Sequence, residues 1–240
     1  MPRLYRMMLP ILAPVLLWQA KQLKRTIPRL PEAPGKRNGA LGQGRPLNLL
    51  IIGDSAAAGV GATSQSQALS GRLSQALSEQ FELNWCLMAK SGADIRSCIA
   101  FQDKQSAQSY DVILVSIGVN DVTGSSNALA WHSKLEQLIA LLHDKYTPNH
   151  IIFTKVPPMQ EFAALKQPMR WYLGAKAAHF NEILANVVQS DACCRVLDID
   201  GELSAEDMAS DGFHPGPVIY QHWGYQASGT IKKLYKENAA

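Results

Sequence analysis

The chain is poor in the features that mark a metal, redox or nucleotide-binding protein. Its four cysteines, Cys86, Cys98, Cys193 and Cys194, form no Cys-x-x-Cys pair, and no histidine stands at zinc-finger spacing from them. That excludes the common zinc and thioredoxin-type motifs; Cys86, Cys193 and Cys194 sit in apolar stretches and read as free buried thiols, with disulfides left open. No glycine loop is followed by Lys-Ser/Thr, and Gly59-Val60-Gly61-Ala62-Thr63-Ser64 lacks the third glycine of a dinucleotide turn. No repeat of solenoid length is present. The longest apolar run, residues 7–18, reaches only ~18 Å as a helix against a hydrocarbon core of ~30 Å.

Acidic residues are nearly missing from the first 46 positions. Nine Lys/Arg stand there against Glu32 alone, so the segment carries +8 and the rest of the chain −5 within a total of +3. A mildly acidic body argues against a nucleic-acid-binding surface. The basic segment holds the apolar run with Arg3 and Arg6 before it and Lys21, Lys24 and Arg25 after it. Three readings stay open for residues 1–25. One is an interfacial anchor on an anionic membrane at the cytoplasmic face. The second is an export signal leading to the periplasm or exterior, which Trp18 before a cleavage site and the following bases oppose. The third is an arm packed on its own domain. Residues 28–46 have the Pro/Gly composition of a linker, so a folded domain is expected from Leu47 to residue 240, able to fold without residues 1–46.

What remains is a body of 47% apolar and 18% charged composition for the chain as a whole, ordinary for a globular domain. From Leu47 onward, short continuous apolar runs alternate with longer amphipathic ones. Strands are predicted at 47–52, 83–89, 112–117, 150–154 and 195–199, and helices near 67–80, 95–103, 128–145, 170–189 and 217–236. Five strands alternating with five helices imply a five-stranded parallel sheet with right-handed crossovers. Reactive groups then belong beyond the carboxyl ends of the strands.

Those loops carry the chemistry. After the first predicted strand stands Gly53-Asp54-Ser55, after the second Lys90-Ser91-Gly92, after the third Gly118-Val119-Asn120-Asp121, and near the end Asp211-Gly212-Phe213-His214. Taken singly, Ser55 is a helix cap, Gly92 a turn residue and Asn120 an Asx turn. Of the six histidines, only His214 has an aspartate three residues before it in a Gly/Pro-bounded loop, close enough for a carboxylate to orient the ring.

In this order, on one sheet edge, these residues make a sequence that resembles the SGNH (GDSL-like) family of serine esterases. Gly59 and Gly61 sit at the usual offsets, and Ala56 replaces a leucine common in the family. The resemblance implies a three-layer α/β/α sandwich of flavodoxin-like strand order and hydrolysis of carboxylic esters, lipid-like, aryl or short acyl, through an acyl-enzyme. In that scheme Ser55 is the nucleophile, His214 the base and then the acid, and Asp211 its orienter. The oxyanion hole combines the Ser55 and Gly92 N–H groups with the Asn120 amide, and neither metal nor organic cofactor is needed. Asp54 and Asp121 would brace loops. A carbohydrate O-deacetylase of the same fold is the alternative, and a non-catalytic binding module a third. The apolar loop 156–169 is an acyl pocket or lid, or else cover for the sheet edge. Asp198, Asp200 and Glu202 read as solvated edge carboxylates, and Trp85, Trp131, Trp171 and Trp223 are too scattered to form a sugar platform.

Overall fold

The computed structural model describes residues 4–199 and 204–237. In chain order the elements are α1 (Leu4–Thr26), β1 (Asn38–Leu41), β2 (Arg45–Gly53), α2 (Leu69–Leu77), β3 (Phe81–Ala89), α3 (Ile95–Asp103), β4 (Val112–Ser116), α4 (Val119–Thr123), α5 (Ala128–Tyr146), β5 (His150–Thr154), α6 (Met169–Gln189), β6 (Cys194–Leu197) and α7 (Pro217–Glu237). Short 3₁₀ turns lie at Met159–Glu161 and Ala205–Asp207.

The sheet order is β1-β3-β2-β4-β5-β6. Strands β2 to β6 are all parallel, and their order is the flavodoxin-like one expected. The continuous apolar runs follow from burial on both faces. Along β2 and β4, Leu50, Ile52, Ile113 and Val115 point to one side and Leu49, Ile51, Val112 and Leu114 to the other. On the first side α3, α5 and α6 close the core, with Leu135, Leu138, Ile139 and Leu142 of α5 buried as one stripe. On the second side α2 and α7 pack together over the sheet, burying Leu69, Leu73, Tyr220, Trp223 and Ile231.

The sheet has six strands where five were expected. The extra one, β1, pairs antiparallel with β3 at the sheet edge, Asn38 opposite Cys86 and Leu41 opposite Leu83. It lies inside the segment expected to be a linker, and β2 itself begins at Arg45 rather than Leu47. Ala33 is buried, and its carbonyl accepts a hydrogen bond of 3.0 Å from Gln65 Nε2. Glu32 accepts one of 2.7 Å from the Ser91 N–H, and Arg37 donates to the Ala89 carbonyl at 3.0 Å. Residues 32–46 are therefore part of the folded body. A truncation at Leu47 strips an edge strand from β3, which speaks against independent folding from that point.

Helix α1 packs against α6. Tyr5 is buried, its hydroxyl 3.0 Å from His179 Nδ1, and Leu16 joins the core beneath it. The packed-arm reading thus describes its inner face. Among the described residues no helix is long and apolar enough to cross a membrane. The four cysteines are free. Burial pushes the Cys98 and Cys194 thiols up to about 12.

Candidate active site

The loops beyond the carboxyl ends of β2 and β6 meet at Ser55. The β2 strand ends at Gly53, and the chain turns at once, with the Asp54 N–H donating to the Ser116 carbonyl of β4 at 3.0 Å. The turn 54–60 is closed by Ala58 N–H to Asp54 and Val60 N–H to Ser55. Tyr220 of α7 braces it from below, its buried hydroxyl 3.0 Å from the Ala56 carbonyl and 2.7 Å from that of Val60.

The Asp211–His214 loop lies directly against this turn. Gly61 adopts φ +96°, and a Cβ there would come within 2.4 Å of the Pro215 carbonyl, so only glycine permits this contact. Asp211 divides its carboxylate. Oδ1 accepts the backbone N–H groups of Phe213 and His214 at 2.9 and 3.0 Å, and Oδ2 lies 2.6 Å from His214 Nδ1. The other ring nitrogen, Nε2, lies 3.0 Å from Ser55 Oγ. The structure thus brings Ser55, His214 and Asp211 into one hydrogen-bonded chain. Burial acts to raise the Asp211 carboxyl, but the bonds from the His214 ring and the two N–H groups outweigh it and hold the group below the usual range.

Asn120 and Gly92 lie on the next strand ends. Asn120 sits in the one-and-a-half-turn helix α4 just after β4, and its Nδ2 donates to the Ala93 carbonyl at 2.9 Å. One amide hydrogen is thereby spent on tying α4 to the Gly92 loop, and the second remains for a ligand. Gly92 has φ +78° with nothing within 4 Å of where a Cβ would stand, so its backbone faces open space.

Buried charges hold this frame. The Lys176 ammonium donates to the Asp121 and Gly124 carbonyls at 3.0 Å each, capping the end of α4. Burial lowers it to about 8, with the Asp121 carboxylate opposing. Asp121 accepts the Ile95 N–H at 2.9 Å, joining α4 to α3, and burial raises it to about 6. Asp54 is buried and raised to about 7. Burial is the main cause, and the Ala56 N–H at 3.0 Å and the nearby His214 pull the other way. Folding therefore favours the protonated Asp54 carboxyl, so its contribution is full below pH ~4 and is lost as pH rises from there toward 7. Asp54→Asn is expected to raise Tm relative to the wild type by more at pH 8 than at pH 5. Calorimetry at the two pH values checks this, and an equal shift at both would contradict it.

A cavity of about 100 Å³ opens beside Ser55 and His214. Its apolar wall comes from Val156, Pro157, Phe162, Phe213, Ile219 and Trp223. The loop 156–169 therefore divides between the two readings, for Met159 and Leu165 are buried in the core. Trp223, one of the scattered tryptophans, reaches the cavity with its indole N–H 3.3 Å from Thr154 Oγ1. Tyr220, Lys176 and Trp223 were not legible as site residues, because on paper each is an unremarked position of an amphipathic helix. Asp198, ion-paired with Lys155, also lines the cavity. Asp200, Gly201 and Glu202 lie outside the described residues. The one trio of potential metal ligands among the described residues, His143, Asp191 and Cys194, lies at the opposite sheet edge. There Asp191 is already engaged by His143 Nε2 at 2.8 Å and by the Cys193 N–H.

A doubly covered parallel sheet with a serine, a histidine and an aspartate in series at its carboxyl edge is the layout of an ester hydrolase. The chain belongs to the GDSL-like Lipase/Acylhydrolase family, whose model matches residues 51–222. No curated protein matches it by sequence. Among solved structures, it is similar to LAE5, an alpha/beta hydrolase enzyme from the metagenome of Lake Arreo, with 18% identity, TM-score 0.57, and 78% of this chain and 97% of that one covered. A carbohydrate esterase family 2 enzyme of Myceliophthora fergusii shares 16% identity at TM-score 0.61, covering 88% and 69%. An acetylxylan esterase of Geobacillus stearothermophilus shares 16% at TM-score 0.57, covering 80% and 96%. At these identities the likeness is one of fold.

Proposed function

We propose that this ester hydrolase works through an acyl-enzyme on Ser55. His214 Nε2 takes the hydroxyl proton as Oγ attacks the ester carbonyl, then delivers it to the leaving alcohol. Water repeats the cycle in the second half, with the acid chain released and Ser55 restored. Asp211 keeps the Nδ1 proton on its own side, so Nε2 is free to accept. The observation that carries this reading is the imidazole held between a hydroxyl at 3.0 Å and a carboxylate at 2.6 Å.

The oxyanion is assigned to the N–H groups of Ser55 and Gly92 and the remaining Asn120 amide hydrogen. Asn120→Ala is expected to lower turnover on the order of 10²–10³-fold with little change in KM, since the donor acts as charge develops. A rise in KM at constant turnover would assign Asn120 to ground-state binding instead.

The small apolar cavity supports short acyl esters as substrates. The acetyl esters named for two of the similar structures, of xylan, fall in that class, so carbohydrate O-deacetylation is the second reading. A series of chromogenic esters of rising acyl length, run beside acetylated xylan, tests both. Turnover is expected to fall as the chain lengthens past the cavity. A rate that climbs with chain length would contradict the short-acyl assignment, and acetate released from xylan faster than from simple esters would favour the deacetylase.

A further inference from the structure

We propose that α1 seats the enzyme on an anionic lipid surface, lying in the plane of the headgroups with its outer face in the bilayer. The helix has two faces of different character. Tyr5, Leu12, Leu16, Gln19 and Leu23 turn inward to the body. Met7, Ile11, Pro14, Trp18, Lys21 and Arg25 follow one another at four-three spacing on the opposite side, and all are exposed. Met7 is 75% exposed, Ile11 71%, Leu17 71% and Trp18 61%, a density of bare apolar side chains found nowhere else among the described residues.

The order along that stripe is the telling feature. Four apolar residues over about three turns end at Trp18, an amphipathic ring suited to the headgroup level. Lys21 and Arg25 then follow on the same line, with stems long enough to keep their charge in water beside lipid phosphates. Arg29 and Lys36 continue the basic run, exposed as well. The segment's one acid, Glu32, is already paired with Arg37 at 3.3 Å, so its charge does not offset these bases. The exposed Lys21, Arg25, Arg29 and Lys36 complement an anionic surface. A second copy meeting this face with its own α1 would bring the same bases and no acid to pair with them, so the charge pattern selects a bilayer over α1–α1 pairing.

Pro10 and Pro14 fit the same geometry. Each removes an N–H from the helix ladder, leaving the carbonyls of Arg6 and Pro10 without a helical donor. Such carbonyls are costly in hydrocarbon and harmless at a hydrated interface. The seat also adjoins the active site. Gln19 donates to the Gln167 carbonyl at 2.7 Å and accepts the Met169 N–H at 3.1 Å, gripping the end of the loop whose Pro157 and Phe162 line the cavity.

Flotation of the full chain with phosphatidylglycerol/phosphatidylcholine vesicles tests the proposal without an activity readout. The wild type is expected to float with the anionic vesicles and to stay behind with pure phosphatidylcholine. Ile11→Glu with Trp18→Glu should abolish flotation, while an unchanged Tm and unchanged turnover of a water-soluble ester show the body intact. Lys21→Glu with Arg25→Glu should weaken binding about thirtyfold or more, and 1 M salt should mimic that loss. No flotation at low salt, equal flotation on both lipids, or indifference to these variants would overturn the proposal. So would a lipid-independent dimer that Ile11→Glu dissolves, since the face would then belong to a second copy.

Discussion

Ser55→Ala is expected to fold as the wild type does and to lose turnover on the order of 10⁴–10⁶-fold. The fold should survive because the Ser55 side chain is only half-buried and its hydroxyl bonds His214 Nε2 alone among the described residues. Neither the brace from Tyr220 nor the Val60 N–H bond involves that hydroxyl; both end on backbone carbonyls. The loss should be severe because, among the described residues, no second hydroxyl is hydrogen-bonded to the ring. Ester turnover of the purified variant, with its Tm beside it, is the check. Retention of most of the activity would remove Ser55 from the reaction.

The second large effect concerns Asp211 and His214 as a unit. His214→Ala deletes the proposed base and is expected to cost as much as Ser55→Ala. Asp211→Asn is subtler. Its Oδ1 still accepts the Phe213 and His214 N–H groups, so the loop keeps its shape. The amide nitrogen that replaces Oδ2, however, donates to Nδ1 and drives the ring proton onto Nε2, where it blocks removal of the serine proton. A loss of about 10⁴-fold in turnover is expected, the scale of a wrong tautomer. The double variant should be little worse than His214→Ala, because partners acting in series do not add. A double variant poorer by the product of the two single losses would show that they act separately. The bonds that Asp211 accepts keep it ionised to lower pH than an ordinary carboxyl.

The parts of this site that were legible in the sequence share one property: their meaning is local. Asp211 and His214 are three residues apart in one loop, so their contact is a matter of chain geometry. Ser55 stands 159 residues from His214, and what brings them together is the rule that parallel strands end at one edge. That rule in turn rests on runs such as Leu49–Ile52 and Val112–Ser116, whose unbroken hydrophobicity reports burial on both faces. The strand Asn38–Leu41 escaped because Asn-Gly-Ala-Leu has no pattern of its own; its pairing is supplied by β3. Lys176 escaped for the opposite reason. Helical periodicity makes it a core position, and only the tertiary structure shows two carbonyls waiting for its ammonium. Trp223 is likewise readable as buried but not as facing a cavity, because a stripe fixes which side of a helix is covered and not by what.

The most direct measurement of the central claim is acid-quench trapping of the covalent intermediate during turnover of a short activated ester, followed by peptide mass mapping. The expected result is one acyl group per chain on the peptide containing Ser55, absent in Ser55→Ala and suppressed in His214→Ala. An acyl group mapped to any other residue, or wild-type turnover through which Ser55 never carries one, would contradict it.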